Sequence, residues 1–305
     1  MPVRLDDVSL RTATFTPETS LELLEAACRA ADLDPSGARL LRHHTNAVYR
    51  LAHHPVVVKI TRPGSGQHRS AQTVAIAEAL AHTSVPTVRL WPGLNQPIIV
   101  ADSHATFWSA IDVAREPTAA DLAEPLRRLH CLDPQALSAV SKLDPFGAIA
   151  NSLTRRTVLN PHDLGFLRAY SEQLADDYAT LDFERPSSLI HGDAHHSNML
   201  VGPDGPVLAD WESAHLGPPE WDLATVAVHC RRFDHPPDEY KEFAKIYGRD
   251  ICDWPGYQTL AAVRELRMIT TNAWKSAPGT PAAAEVILRV AALRRGDLER
   301  RWQLL

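Results

Sequence analysis

Short apolar runs separated by turn residues characterise the chain up to residue 111, and such runs predict β-strands. Thr16 and Pro17, followed by apolar residues at helical spacing, predict a helix that precedes these strands. A second helix is predicted over 70–81. The predicted strands form an antiparallel meander and then a strand pair, and they cover residues 38–41, 47–51, 56–60, 98–101 and 105–111.

From Thr118 onward the apolar positions take the period of a helix, with Leu122, Leu126 and Leu129 on one face. Pro125 inside this run is expected to kink the helix or to mark a restart. Further helices are predicted over 160–181, 220–230, 238–246, 257–274 and 281–295. Strands followed by helices indicate an α+β fold with two lobes, an N-terminal antiparallel sheet lobe and a mostly helical C-terminal lobe.

Composition narrows the possible partners and locations. The 305 residues suit two domains, and a 45% apolar content provides a hydrophobic core. The net charge of −6 and the lack of a basic patch make nucleic acid an unexpected partner. No apolar stretch approaches the length of a membrane span, and the N-terminus lacks a signal pattern. Four cysteines without a Cys-x-x-Cys motif indicate reduced thiols and a cytoplasmic protein. The fifteen histidines are the one unusual feature.

The candidate chemistry lies between residues 189 and 212. An apolar strand leads into a polar loop, and two apolar trios then flank a Gly-Pro-Asp-Gly turn, which predicts a β-hairpin. The pairing of this hairpin is expected to place Asn198 and Asp210 side by side at its open end. Amide and carboxylate oxygens are suitable ligands for Mg²⁺. Asp193, in the same loop as Asn198, is then free to accept a proton from an attacking hydroxyl.

Three motifs in this region resemble those of the aminoglycoside phosphotransferases and choline kinase-like small-molecule kinases, which have a protein-kinase-like fold. They are His-Gly-Asp-Ala-His-His-Ser-Asn at 191–198, Asp-Trp-Glu at 210–212 and Gly-Pro-Pro-Glu-Trp-Asp-Leu-Ala at 217–224. Their order and spacing match the family, and the resemblance extends over nearly the whole chain. It implies transfer of the γ-phosphate of ATP, with Mg²⁺, to a hydroxyl of a small molecule.

The resemblance also implies roles for individual residues of the C-terminal lobe. Asp193 is implied to be the catalytic base and His195 a group on the phosphate side, where protein kinases have a lysine. Asn198 and Asp210 are implied to be the magnesium ligands. Two further residues, His191 and Asp222, are implied to support the loop.

In the N-terminal lobe the resemblance implies that Lys59 holds the ATP phosphates. Asp112 and Val113, in the hinge 111–114, are implied to bind adenine through their backbone, and the lobes are expected to span 1–113 and 114–305. The phosphate loop at 43–47 has no glycine, so Thr45 and Asn46 are expected to donate side-chain hydrogen bonds instead. The expected glutamate partner of Lys59 is missing, because Thr73 stands in its place. Lys59 is therefore expected to be unpaired or to have a different partner.

The acceptor is less closely defined. Between residues 210 and 253 ten acidic residues stand against five basic ones. This region helps to form the acceptor pocket in related enzymes, so it favours an amine-bearing acceptor such as an aminoglycoside or amino sugar, and a solvated acidic face explains it equally well. The candidate pocket residues are Glu212, Glu265 and Trp274. Glu265, between Arg264 and Arg267, would serve either a charged substrate or a structural ion pair.

Several alternatives remain open. The chain could be a metabolic kinase of a different small alcohol rather than an antibiotic-resistance enzyme, or a nucleotide-binding regulatory module without catalysis, which the unusual phosphate loop favours. A protein kinase is disfavoured because no Asp-Phe-Gly or Ala-Pro-Glu motif is present. A metal-dependent hydrolase using the histidine-rich loop is disfavoured because no His-Glu-x-x-His spacing occurs.

Overall fold

The computed structural model describes residues 15–133 and 140–305, which fall into two compact units. Among these residues, the first unit contains 15–116, 140 and 200–212, and the second contains 117–133, 141–199 and 213–305. We call them the sheet unit and the helical unit. The lobe boundary at 113/114 stays a prediction, and the compact units differ from the predicted lobes because 200–212 belongs to the sheet unit.

The helices and strands follow the predicted order from an antiparallel sheet to a helical part. The helices are α1 (Pro17–Ala30), α2 (Gln67–Leu80), α3 (Ala119–Leu129), α4 (Pro145–Thr154), α5 (Pro161–Ala179), α6 (Glu220–Arg232), α7 (Pro237–Tyr247), α8 (Tyr257–Lys275) and α9 (Pro281–Arg294). The strands are β1 (Arg39–His43), β2 (Asn46–Arg50), β3 (Val56–Thr61), β4 (Ile98–Val100), β5 (Ser103–Ser109), β6 (Ser188–Ile190), β7 (Met199–Gly202), β8 (Gly205–Leu208) and β9 (His215–Gly217). The predicted α+β fold class is confirmed.

Five antiparallel strands in the order β1-β2-β3-β5-β4 form the sheet of the sheet unit. The predicted meander and the later strand pair are both confirmed. On β3, Val56, Val58 and Ile60 are buried, and Lys59 points to the opposite face because successive strand residues alternate. Lys59 lies opposite Val48 of β2 and Thr106 of β5.

Helix α1 begins where its sequence predicts, because Thr16 accepts a hydrogen bond from the Thr19 amide and Pro17 occupies the first turn. Its buried residues share one hydrophobic core with β2, β3 and β5. A hydrogen bond of 2.6 Å between the hydroxyls of Ser20 and Tyr49 joins α1 to β2 inside this core. This packing holds β3, and therefore the backbone of Lys59, in a fixed position.

Strands β7 and β8 form the predicted hairpin, and Pro203 and Asp204 lie between them. After β8 the chain is attached within the sheet unit, since the Leu208 amide donates to the Pro86 carbonyl (3.0 Å). The indole Nε1 of Trp211 donates to the Thr87 hydroxyl at 2.7 Å. These bonds fix the segment that carries Asp210. The side-by-side placement of Asn198 and Asp210 stays a prediction.

The helical unit contains α3 to α9 and the two-stranded sheet β6-β9. Helix α6 is buried along almost its whole length, so it is the central helix of this unit. Pro125 lies inside α3, which continues past it without a restart. Helix α4 and strand β9 were not predicted. None of the helices within 15–133 and 140–305 combines the length and apolar character needed to cross a membrane.

Candidate active site

In the sheet unit the candidate nucleotide-binding lysine is held between two carboxylates. The Lys59 ammonium lies 2.8 Å from Asp210 Oδ1 and 2.8 Å from Glu212 Oε1. Burial by itself would lower the pKa of Lys59, but Asp210 and Glu212 outweigh that effect and the pKa is raised. Lys59 is therefore a charged group with two partners from the Asp-Trp-Glu motif, and Thr73 is not among the partners described.

Glu212 is one of the two carboxylates that hold Lys59, and its expected place in an acceptor pocket stays a prediction. It also accepts a hydrogen bond of 2.9 Å from the Asn46 amide. Asn46 is therefore engaged with Glu212 rather than exposed as a free donor for phosphate, while Thr45 is exposed. Asp210 has a left-handed backbone conformation with φ at 67°, which Asp tolerates better than most residues.

The predicted hinge residues follow β5 in the sheet unit. The Ala114 amide donates to the Val201 carbonyl at 2.8 Å, so this part of the backbone is held by β7. Asp112 and Val113 are both exposed, and the Asp112 carboxylate lies 3.7 Å from Arg50. These two residues thus lie on the surface of the sheet unit.

In the helical unit the candidate catalytic loop, which carries His191, Gly192 and Asp193, is fixed by the N-terminal turn of α6. The buried carboxylate of Asp222 accepts from the backbone amides of His191 (2.7 Å) and Gly192 (2.8 Å). The Trp221 indole donates to the Gly192 carbonyl at 3.1 Å. His191 itself is completely buried. The loop backbone is therefore held on both its donor and its acceptor sides.

Gly192 is required at its position for two reasons. Its φ of 78° lies in the left-handed region, and an added Cβ would be 1.9 Å from the Ser213 carbonyl oxygen. A residue with a side chain would have to displace the backbone there. The His-Gly-Asp sequence thus allows a tight turn that presents Asp193 beyond the buried His191.

The Asp193 carboxylate is partly exposed and is surrounded by nitrogen groups of the helical unit. Arg264 of α8 donates to Asp193 Oδ1, and His195 Nε2 lies 3.4 Å from Oδ2. Burial would raise the pKa of Asp193, but Arg264 and His195 reverse the effect and hold it well below the ordinary value. Asp193 is consequently ionised at neutral pH and can accept a hydrogen bond from a hydroxyl.

His229 of α6 lies behind this loop. Its ring stacks on that of His195, with centroids 4.4 Å apart and planes at 3°. Burial, with contributions from His195 and Arg264, lowers the pKa of His229 well below its ordinary value. His229 is thus a neutral platform that fixes the plane of the His195 ring.

Asn198, in a short 3₁₀ helix over His196–Asn198, presents an oxygen. Its amide nitrogen donates to the Asp193 carbonyl at 2.9 Å, so Nδ2 faces that loop. The other side-chain atom, Oδ1, accepts no hydrogen bond among the contacts described for residues 15–133 and 140–305. An amide oxygen held in this way fits a hard cation such as Mg²⁺, and the Asp210 carboxylate has the same chemistry.

The remaining residues expected in the acceptor pocket have structural partners. Glu265 is 2% exposed and lies 2.7 Å from Arg232 and 2.5 Å from Arg231, both of α6, so it forms a structural ion pair, one of the two roles expected for it. Its place in an acceptor pocket stays a prediction. Trp274 is half-buried, and the Arg155 guanidinium covers its ring at 4.4 Å.

Two residues that lie around Asp193, namely His229 and Arg264, were not predicted from the sequence to lie there. His229 follows Asp222 by seven positions on the same face of α6, a spacing that could have indicated it. Arg264 lies in the Arg-Glu-Leu-Arg run, but its contact with Asp193 spans 71 residues and has no local signal.

A sheet unit with a half-buried, carboxylate-paired lysine and a helical unit with a fixed His-Gly-Asp loop are the components of a kinase-like phosphotransferase. Residues 37–266 match the sequence profile of the phosphotransferase enzyme family. The chain belongs to this family, as its motifs predict, and it is a phosphotransferase enzyme. No curated protein sequence matches the chain significantly.

Solved structures share the fold at low sequence identity. Amicoumacin kinase hAmiN, in complex with AMP-PNP, Ca²⁺ and Ami, has a TM-score of 0.69 at 10% identity, covering 94% of this chain and 97% of that one. A choline/ethanolamine kinase family protein from Mesorhizobium loti has a TM-score of 0.65 at 17% identity, with 91% and 93% covered. Aminoglycoside phosphotransferase APH(3'')-Id from Streptomyces rimosus, in complex with ADP and streptomycin, has a TM-score of 0.55 at 20% identity, with 81% and 97% covered. The chain thus has the fold of small-molecule kinases.

Proposed function

We propose that this phosphotransferase uses ATP and Mg²⁺ to phosphorylate a hydroxyl of a small molecule. The observation that carries the proposal is the ionised, partly exposed carboxylate of Asp193 on a loop fixed by Asp222 and Trp221. A carboxylate in this state can orient a hydroxyl and accept its proton, which is the task of the base in phosphoryl transfer.

In the proposed reaction the acceptor oxygen forms a bond to the γ-phosphorus of ATP. The bond between that phosphorus and the bridging oxygen to the β-phosphate breaks, and ADP leaves with the electron pair. The hydroxyl proton passes to Asp193 and then to solvent. Arg264 and His195 hold the Asp193 carboxylate in position, so the reacting hydroxyl is aligned before transfer.

Lys59 is proposed to hold the ATP phosphates, with the hinge residues Asp112 and Val113 binding adenine. Asn198 and Asp210 are the proposed magnesium ligands, as the resemblance implies, each with an oxygen to contribute. Bound Mg²⁺ would neutralise negative charge on the phosphates. The structures of hAmiN with AMP-PNP and of APH(3'')-Id with ADP support adenine nucleotide as the donor.

An amine-bearing alcohol, such as an aminoglycoside or amino sugar, is the first acceptor class to test. The similar structures include an aminoglycoside phosphotransferase in complex with streptomycin and a choline/ethanolamine kinase family protein. The acidic excess after residue 210 gives limited support to this class, because some acidic side chains there are already paired with arginines. Glu220 lies 2.8 Å from Arg249, and Glu265 is paired with Arg231 and Arg232.

We place the reaction in the cytoplasm, where the four free cysteines of the chain stay reduced.

The test measures acceptor-dependent ADP formation with a panel of aminoglycosides, amino sugars, choline, neutral alcohols and nucleosides. We expect at least one acceptor to stimulate ADP formation, and Asp193→Ala to reduce turnover about 10²–10⁴-fold. Phosphorylation that persists in a double variant, Asp193→Ala with Asp210→Ala, would contradict the assigned roles.

A second candidate is a nucleotide-binding module without catalysis, which the glycine-free phosphate loop favours. This alternative predicts that ATP raises the unfolding temperature of the protein while no acceptor stimulates ADP formation. A metabolic kinase of a different small alcohol would instead show turnover with a neutral alcohol and none with the aminoglycosides.

A further inference from the structure

Two histidines and a glutamate of the helical unit come together beside the catalytic loop. They are His196, in the 3₁₀ helix that also contains Asn198, His235, in the connection between α6 and α7, and Glu239, in the first turn of α7. We call these three residues the His–His–Glu cluster. Its members are separated by as many as 43 residues in sequence, so no local motif reveals them.

The potential ligand atoms of this cluster all lie within 4.8 Å of one another. His196 Nε2 is 3.1 Å from Glu239 Oε2, and His235 Nδ1 is 4.0 Å from the same oxygen. Ligands about 2.0–2.2 Å from a tetrahedral ion lie roughly 3.3–3.6 Å apart. The His196–Glu239 distance is already close to that spacing, and His235 Nδ1 has to move closer to Glu239 Oε2 by a fraction of an ångström.

The neighbourhood of the cluster supports a bound ion. The Glu239 carboxylate accepts a hydrogen bond of 3.2 Å from the Ala119 amide of α3, which fixes its orientation as second-shell bonds fix metal ligands. The His196 and His235 rings stack with centroids 3.8 Å apart and planes at 5°. One ring must tilt for both nitrogens to point at one ion. His235 is the ring that has to tilt, since 28% of its side chain is exposed and its Nδ1 is still 4.0 Å from Glu239 Oε2.

A structural ion pair explains only part of this arrangement. His196 and Glu239 form a hydrogen-bonded pair, but this pair gives no reason for the His235 imidazole to lie against the His196 ring. Two imidazole nitrogens and one carboxylate oxygen, with space for a solvent ligand, form a donor set that suits Zn²⁺ and similar ions and not Mg²⁺.

We propose that His196, His235 and Glu239 bind a divalent transition-metal ion of the zinc class, separate from the magnesium that accompanies ATP. His196 Nε2, His235 Nδ1 and Glu239 Oε2 are the protein ligands, and water completes the coordination. The ion joins the 3₁₀ helix of the catalytic loop to the start of α7, so it stabilises the loop on which Asn198 is carried.

The test uses the full chain without a histidine tag, freed of metal by a chelator and then titrated with Co²⁺ in the absence of ATP and acceptor. We expect one Co²⁺ per chain, the visible absorption bands of a four-coordinate ion, and displacement by an equimolar amount of Zn²⁺. Zn²⁺ is also expected to raise the unfolding temperature in proportion to the logarithm of its concentration.

His235→Gln is the decisive variant, because His235 is partly exposed and its loss leaves the His196–Glu239 hydrogen bond in place. We expect it to weaken Co²⁺ binding by at least about 100-fold. His162→Gln, at an exposed histidine of α5, is the matched control and should bind as the unchanged protein does.

Two results would overturn the proposal. The first is the absence of any stoichiometric Co²⁺ or Zn²⁺ binding by the unchanged protein. The second is binding that survives His235→Gln but is lost in His229→Gln, since this would place the ion at Asp193, His195 and His229 instead. Both readouts are independent of phosphotransfer, so their failure and the failure of the proposed kinase activity are distinguishable.

Discussion

Asp222 is expected to be one of the most sensitive positions of the helical unit, and Asp222→Asn tests why. The buried carboxylate makes three contacts. Oδ2 accepts from the His191 amide at 2.7 Å and lies 3.0 Å from His130 Nε2, and Oδ1 accepts from the Gly192 amide at 2.8 Å. An asparagine has only one oxygen, so one of the two backbone amides must face an NH₂ group instead of an acceptor.

The expected cost follows from these contacts. A lost hydrogen bond to a charged group costs about 1.5–3 kcal/mol, and the surviving bond weakens because its acceptor becomes neutral. Asp222→Asn should therefore lower the free energy of unfolding by about 2–4 kcal/mol. Asp222→Ala deprives both amides of their acceptor and should cost about 3–6 kcal/mol. Either loss is a large part of the roughly 5–15 kcal/mol that stabilises a typical protein.

The assay is equilibrium unfolding in urea, followed by tryptophan fluorescence and by circular dichroism. Asp253→Asn, at an exposed aspartate of the same unit, is the matched control and should change stability by less than about 0.5 kcal/mol. If Asp222→Asn were as stable as this control, the Asp222 carboxylate would not be what holds the catalytic loop.

Three further predictions concern separate features. Because the lowered pKa of His229 keeps it neutral in the folded protein, the unfolded chain binds one more proton below about pH 6.5, and the free energy of unfolding should fall as the pH falls. His229→Gln should reduce the slope of the free energy of unfolding against pH by up to about 1.4 kcal/mol per pH unit. Urea unfolding from pH 7 downward measures this slope. An unchanged slope would refute the neutral state. Gly192→Ala should lower the free energy of unfolding by about 1–3 kcal/mol through backbone strain alone. Gly165→Ala, in open space on a helix, should raise the free energy of unfolding by about 0.5–1 kcal/mol. Thermal unfolding measures both, and equal effects would contradict the close approach of Gly192 to Ser213. Lys59→Ala should raise KM for ATP about 10–100-fold in steady-state kinetics, and an unchanged KM would exclude a role in phosphate binding.

The sheet and most helices could be predicted because their signals are local. Short apolar runs bounded by turn residues define β2 and β3, and a polar residue followed by proline marks the start of α1 and α5. Helix α4 carries the same start signal, with Asp144 accepting from the Gly147 amide, but its glycine and short length obscured the helical period. Strand β9 has only three residues and is defined by its pairing with β6, which no local pattern reveals.

The candidate site was predictable in its motifs and not in its ion pairs. The three motifs at 191–198, 210–212 and 217–224 predicted the family, and the match of residues 37–266 to the family profile confirms it. The partners of Lys59 lie 151 or more residues away, and the pairing follows from the folding of 200–212 into the sheet unit rather than from any spacing. Glu212 was therefore expected in an acceptor pocket.

The central claim is that this enzyme moves the γ-phosphoryl group of ATP to a small-molecule hydroxyl with Asp193 as the base. Incubation with ATP labelled at the γ-phosphate, followed by mass spectrometry of each acceptor, tests it most directly. We expect the label on an acceptor with the unchanged protein and Mg²⁺, and its loss from that acceptor in Asp193→Ala. Label that appears only in inorganic phosphate, or equal labelling of the acceptor by Asp193→Ala, would contradict the claim.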